Sequence, residues 1–365
     1  MDPYLYKPIF LHFVIIFSFL EALRHTKDEI LIPSKSNEKY KIYTLSIILI
    51  LFLGLRPISW AFADTGNYAN SYAIMALYRN ETITSDIFFY GIMKWFAESG
   101  INVHIWILFV EVIYILGHSY ATYKLFPYHT GTAFAIILTS FSFFSYSTNG
   151  IRNGMACALF LMALPFIKEK KWVKAILLCV ISFNVHSSLF LPIMAILIAH
   201  FYQNTKHYIV CWIICITASI VAGGFFEDLL MNQGIIDTGK DTAYFSNDNM
   251  DMSQFSHQGF RFDFLIYSSI PIIIGYYFIN KQKFNDKWYQ ILVNTYIICN
   301  SIWVLVNANW LSNRIAYLSW FLYGYIIIYP MLMCPNIRQR NIKLKLIVLG
   351  NAAFTYCMWI IGKYN

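Results

Sequence analysis

The sequence predicts an all-α polytopic integral membrane protein with about 12 transmembrane helices (10–12), and three observations carry that reading. Hydrophobic residues make up 58% of the 365 positions, and charged ones 13%, about half the fraction usual in a soluble domain. Apolar runs long enough to cross a bilayer recur from one end of the chain to the other. Lysine and arginine are shared unequally between the connecting segments, as the positive-inside tendency requires of a polytopic protein. This composition excludes a disordered chain, and residues 1–365 read as a single membrane-embedded domain. The net charge of +8 raises the question of nucleic acid. No basic cluster is interleaved with aromatics outside the apolar runs, so nucleic acid is excluded as a partner.

The first run, Tyr4 to Leu23, has the position of a signal peptide but is followed by Arg24, His25 and Lys27 rather than by a small-residue cleavage site. It is expected to remain as a helix. The further expected spans are 42–55, 101–121, 131–147, 153–167, 172–184, 186–201, 208–225, 262–280, 288–307, 314–333 and 344–361. The stretch Trp172 to Phe201 is too long for one ordinary span and short for two. Charge decides between them. With two helices there and the N-terminus outside, the inner segments hold 18 of the 27 lysines and arginines. A single span would invert every later loop and put Lys281, Lys283, Lys287, Arg338, Arg340, Lys343 and Lys345 outside. Two short helices meeting near Asn184–His186 are therefore expected, and a turn within the membrane implies a polar cavity around it.

Two outer segments are long, 56–100 and 226–261. In the first, Phe88, Phe89, Ile92, Trp95 and Phe96 can share one face of a helix over 87–97, which reads as lying in the membrane interface. The second is acidic, with Asp237, Asp241, Asp248 and Asp251 among its residues. No internal repeat or low-complexity tract is present. The seven cysteines lie within or at the end of apolar runs and suggest no disulfide framework. Cys211 and Cys215 have helical spacing but no flanking His or carboxylate, so no metal and no cofactor is expected.

Candidate chemistry concentrates at helix ends on the outer side. Five of the eight arginines fall there, and Arg56, Arg152, Arg261 and Arg314 each abut a span. A guanidinium is a planar, permanently charged fork suited to phosphate. The bland reading is snorkelling, or pairing with acidic loop residues. Gly54-Leu55-Arg56 is followed by Asp64-Thr65-Gly66-Asn67-Tyr68 and Tyr72, which gathers a cation, a carboxylate and phenols at one mouth. Asn149-Gly150-Ile151-Arg152-Asn153-Gly154 opens a helix with small residues beside a guanidinium. Asn184-Val185-His186-Ser187-Ser188 occupies the expected turn, and Asn313-Arg314-Ile315-Ala316-Tyr317 opens a later helix. Glu111, mid-span with His118 on the same face, costs about 2.5–3.5 kcal/mol to insert unless it pairs or meets water. It marks either a polar path or a hydrogen bond to a nearby Tyr or Ser. The outer aromatics Trp60, Tyr68, Tyr72, Trp95 and Trp310 could stack on sugars, or could simply form an interfacial belt.

On the Arg56…Asp64-Thr65…Tyr68, Asn149…Ile151-Arg152 and His186-Ser187-Ser188 strings, over roughly Leu45 to Tyr325, the chain resembles the EpsG-like family of Wzy-type repeat-unit polymerases of O-antigen, capsule or exopolysaccharide. Asn153 stands where that pattern has glutamine. The resemblance implies glycosyl transfer between undecaprenyl-pyrophosphate-linked oligosaccharides at the outer face of a bacterial inner membrane, with a chain-length regulator and a flippase as possible partners. Arg152 and Arg314 would stabilise the leaving diphosphate, with Arg56 next, and Asp64 or His186 would serve as base. Arg56, Tyr68, Tyr72, Asn149, Asn153, Ser187, Arg261 and Tyr317 would line the substrate. Asp64 could instead merely pair with Arg56, and His186 could merely satisfy backbone at the turn. Two other readings are a glycosyltransferase or ligase that uses lipid-linked sugars, and a flippase for the same lipid. The flippase predicts inverted repeats and charged midplane helices.

Overall fold

A chain that exposes this much apolar surface to lipid must satisfy its backbone polar groups within each segment, and the structure does so with helices. The computed structural model describes residues 1–25, 34–62, 64–78, 82–232, 260–308, 312–335 and 337–362, and no strand occurs among them. The helices are, in order, α1 (Tyr6–Leu23), α2 (Lys35–Gly54), α3 (Asp64–Leu77), α4 (Ile87–Glu98), α5 (Val103–Leu125), α6 (Thr130–Leu138), α7 (Phe141–Thr148), α8 (Ile151–Lys168), α9 (Trp172–Val185), α10 (Phe190–Phe201), α11 (Thr205–Asn232), α12 (Phe262–Tyr276), α13 (Lys287–Leu305), α14 (Ser312–Trp320), α15 (Tyr323–Met333) and α16 (Arg340–Ile360). They form two compact units, Met1–Leu189 with Ile328–Asn365, and Phe190–Ile327. Most of the outer segment 226–261, and Trp310, lie outside the described residues.

Among the described residues, six helices are long and apolar enough to cross a membrane: Pro3–Leu23, Val103–Leu125, Ile151–Lys168, Thr205–Gly223, Phe262–Lys281 and Asn313–Met333. Only 6% of the Thr205–Gly223 span is buried; Val210, Ile213, Ile214 and Val221 point outward, which is sensible where the solvent is lipid. The expected count of about 12 is not met by this measure, for local reasons. α2 begins at Lys35 rather than 42, so its first turns are polar, and α16 opens with Arg340, Lys343 and Lys345. α13 carries buried Asn294, Thr295, Asn300 and Ser301.

The expected span 131–147 is two helices. The hydroxyls of Thr139 and Ser140 bond back to the carbonyls of Ala135 and Ile136, and Ser140 then turns extended, with φ −72° and ψ 142°. Such hydroxyls compete with the backbone for its own partners. The break is stitched from α16: Thr355 donates to the Thr139 carbonyl at 2.6 Å, and Asn351 to the Thr139 hydroxyl at 2.6 Å. The span 314–333 likewise consists of α14 and α15, with a turn at Phe321–Leu322. The expected division of Trp172–Phe201 is observed: α9 stops at Val185, His186 is extended (φ −154°, ψ 120°), and a single 3-10 turn covers Ser187–Leu189.

In the first unit α5 packs against α2 and α8, α8 against α9, and α1 against α16. Carboxylates pin the ends of α1, α2 and α6. Glu38 accepts the backbone N–H of Gly131 at 2.7 Å, and Glu21 and Glu38 share Arg24 and Lys41. A negative charge at the first turn of α6 is favoured by the helix dipole. In the second unit α13 is the hub, touching α10, α11, α12 and α14.

Two elements of the segment 56–100 differ from expectation. α3 is a helix within what the sequence presents as a loop. α4 matches the expected range within a residue, but its faces are divided differently. Phe89, Met93, Phe96 and Ala97 are buried against protein, while Ile87, Phe88 and Trp95 are exposed. The helix packs on α3, α5 and α9, so its inner face meets protein rather than lipid.

Candidate active site

Three segments of the first unit, remote in sequence, converge on one carboxylate. Asp86 lies in the turn before α4, on a left-handed backbone (φ 48°) that Asp tolerates better than most residues, and it is buried. Its Oδ2 forms an ion pair with Arg152 Nη1 at 2.9 Å and accepts from His186 Nδ1 at 3.0 Å; its Oδ1 accepts the Ser187 backbone N–H at 2.9 Å. Arg152 is delivered by the first turn of α8 and His186 by the extended residue after α9. α8 packs on α9 and α9 on α4, so the meeting is set by helix packing. Arg152 also donates to the Tyr90 hydroxyl at 2.8 Å, and its guanidinium carbon stands 5.4 Å from the centre of the Tyr90 ring.

Burial pushes the Asp86 carboxyl up, but the His186 hydrogen bond and charge, the Arg152 charge and the Ser187 N–H outweigh it, and the group sits below its ordinary value. An ionised carboxylate can only accept, so His186 Nδ1 carries a proton and the neutral ring keeps its basic lone pair on Nε2. The side chains of Arg152 and His186 retain 15% and 9% of their surface, against 1% for Asp86. The cluster is thus an imidazole oriented by a carboxylate, beside a guanidinium within reach of a ligand.

Of the expected site residues, Arg152, His186 and Ser187 are brought together here, Ser187 through its backbone. Arg56 is elsewhere, in the helix packing and 1% exposed; its Nη1 meets Glu111 at 3.3 Å and the Leu53 carbonyl at 2.6 Å, and its Nη2 meets Thr65 at 3.3 Å. The carboxylate it binds is Glu111 rather than Asp64, which corrects the expected pair. Glu111 in turn accepts from Ser147 at 2.7 Å, so its partners are a serine and the guanidinium. That pairing answers its insertion cost and holds Arg56 within the helix packing. Asp64 opens α3, and its N–H is capped by the Oδ1 of exposed Asn149 at 3.1 Å.

Tyr72 is buried and donates to the Ile101 carbonyl at 2.6 Å, which withdraws it from a substrate surface. Tyr68 packs against Phe89 and Trp106, and Trp60 is 68% exposed. Asn153 is buried, accepting from the Cys157 thiol at 3.5 Å. In the second unit Arg261 forms a two-pronged bridge to Asp263 at 2.9 and 2.8 Å and lies 3.6 Å over the Phe264 ring, so its fork is already occupied. Arg314 is exposed on α14, and Tyr317 packs against Trp320 on the same helix. Among the described residues no group of three or more His, Cys, Asp or Glu could hold a metal.

Asp86 and Tyr90 were not apparent from sequence. The only signal was an acid immediately before an apolar helix, which is also the signature of an ordinary N-cap.

The EpsG family profile matches residues 39–365. The chain belongs to the EpsG family. The match spans all three segments of the cluster around Asp86, and it makes the chain a membrane protein of polysaccharide polymerisation. No curated protein and no solved structure matches it. Within this EpsG-family chain, the roles of individual residues therefore rest on the geometry described above.

Proposed function

We propose that this EpsG-family protein joins undecaprenyl-pyrophosphate-linked oligosaccharides at the outer face of a bacterial inner membrane, with its N-terminus outside. The observation that carries the reading is the convergence of Arg152 and His186 on Asp86, which puts a phosphate-binding fork beside an oriented base. His186 Nε2 takes the proton of the attacking sugar hydroxyl, the hydroxyl oxygen bonds to the anomeric carbon of the growing chain, and the bond from that carbon to the lipid diphosphate breaks. Negative charge grows on the departing diphosphate, and Arg152, assisted by the Tyr90 hydroxyl, meets it. Asp86 stabilises the imidazolium that results.

Asp64, whose backbone N–H is capped by Asn149 at the start of α3, is a second candidate base. Arg314, exposed on α14, is a second candidate anion ligand and is tested by its own lysine variant. Purified protein incubated with lipid-linked repeat units should yield longer glycans. Unaltered substrate moved to the other leaflet would instead favour the flippase. Transporters do use broken helices, and α6–α7 is one; here its break is tied to α16 through Asn351 and Thr355. Transfer to a different glycan acceptor without chain growth would favour a ligase.

A further inference from the structure

One oxygen of Asp86 serves two partners at nearly equal distance, Arg152 at 2.9 Å and His186 at 3.0 Å. No other charged group appears among the interactions that tune this carboxylate. Among the described contacts, His186 meets Asp86 from the turn before α4, Asp86 also pairs with Arg152 of α8, and Arg152 reaches the Tyr90 phenol of α4. In the unliganded protein, Arg152 neutralises much of the charge that Asp86 presents to the imidazole. A diphosphate carries more negative charge than a carboxylate and matches the guanidinium fork, so it competes with Asp86 for Arg152.

We infer that Asp86 is a positioning residue that couples donor capture to proton removal: when a diphosphate takes Arg152, Oδ2 of Asp86 is left to His186 alone. The inference rests on the assignment of Arg152 and His186 made above. The Ser187 N–H holds the other carboxylate oxygen, so Asp86 stays in place while one of its partners is withdrawn. The uncompensated carboxylate then favours the protonated imidazole, and the base gains strength when a leaving group is in place. Without donor, the Arg152–Asp86 pair keeps the base weak and so opposes idle proton transfer.

The coupling predicts that diphosphate binding draws a proton onto the protein. The test is calorimetric titration of the full-length protein in lipid nanodiscs with methylene diphosphonate, near neutral pH, in buffers of different ionisation enthalpy. The wild type should take up a fraction of a proton per bound diphosphonate. Asp86→Asn and His186→Gln should each lose most of that uptake while still binding, and Asp86→Glu should retain part of it. If Asp86→Asn takes up as much as the wild type, the coupling is wrong, whether or not His186→Gln loses the uptake. If Arg152→Lys binds diphosphonate as tightly as wild type, the assignment of the leaving group to Arg152 fails, and the inference falls with it. Should Asp86→Asn not fold, Asp86→Glu decides: uptake equal to that of the wild type would show that the diphosphonate acts on His186 directly and would overturn the coupling.

Discussion

The Arg56–Glu111 pair makes the sharpest prediction, because its two members do not cost the same when left alone. Their side chains are 1% and 2% exposed, with Nη1 and Oε2 at 3.3 Å. At an effective dielectric of 20, that separation is worth about 5 kcal/mol of attraction. Removing one partner of a buried pair typically costs about 3–5 kcal/mol, because the other charge remains without water. The orphans differ, however. In Arg56→Leu the remaining carboxyl can take up a proton and keep its Ser147 hydrogen bond. In Glu111→Leu the guanidinium stays charged and keeps only Leu53 and Thr65.

Glu111→Leu should therefore be the more damaging, near the top of that range, and Arg56→Leu should fall at or below its bottom. The double variant, with no buried charge, should be more stable than Glu111→Leu, since an apolar replacement of a whole pair is often neutral. Unfolding of the three purified variants in a common detergent, followed by tryptophan fluorescence, measures the order. If the double variant is the least stable, or if the two single variants are indistinguishable, the asymmetry argument is refuted.

Three further outcomes are expected. In Gly117→Ala the added methyl would sit 2.6 Å from the Ala158 carbonyl oxygen and 2.7 Å from its Cβ; α5 and α8 must separate, and unfolding should show a loss of about 1–3 kcal/mol. Arg152→Lys should lower repeat-unit joining about 10²–10³-fold, because an ammonium does not reproduce the fork, and His186→Ala about 10²–10⁴-fold; glycan length on gels reads both, and normal chains in both variants would remove the site. The Asp86 carboxyl is held below its ordinary 3.8, so its pairing contributes stability that is complete above that value and is lost as pH falls through the depressed one. The stability gap between wild type and Asp86→Asn, read from melting curves, should be open at neutral pH and close at the acid end; a gap that widens with acid would contradict the assignment.

How much of the site was legible from sequence follows from the range of the interactions that build it. Arg152 and His186-Ser187 were found because each opens or closes an apolar helix with a residue that lipid disfavours, a local signal. Asp86 was hidden because its role depends on partners 66 and 100 positions away. Arg56 read as a ligand residue because it abuts a span, yet Glu111, 55 positions on, had the stronger claim on it. Nor does sequence show that Asn149 Oδ1 accepts the first N–H of α3 or that the Tyr72 hydroxyl donates to the Ile101 carbonyl.

By itself the sequence determined that this is a helical membrane protein, since hydropathy integrates over each segment and backbone polar groups cannot be left bare in lipid. It also determined that Trp172–Phe201 divides near His186, because charge bias constrains the number of crossings. Only tertiary structure decided that the span 131–147 breaks at Thr139–Ser140, a break stabilised by side chains more than 200 positions away, and which polar residues face one another. Those choices are differences of a few kcal/mol between alternative partners, and they are resolved only when the helices pack.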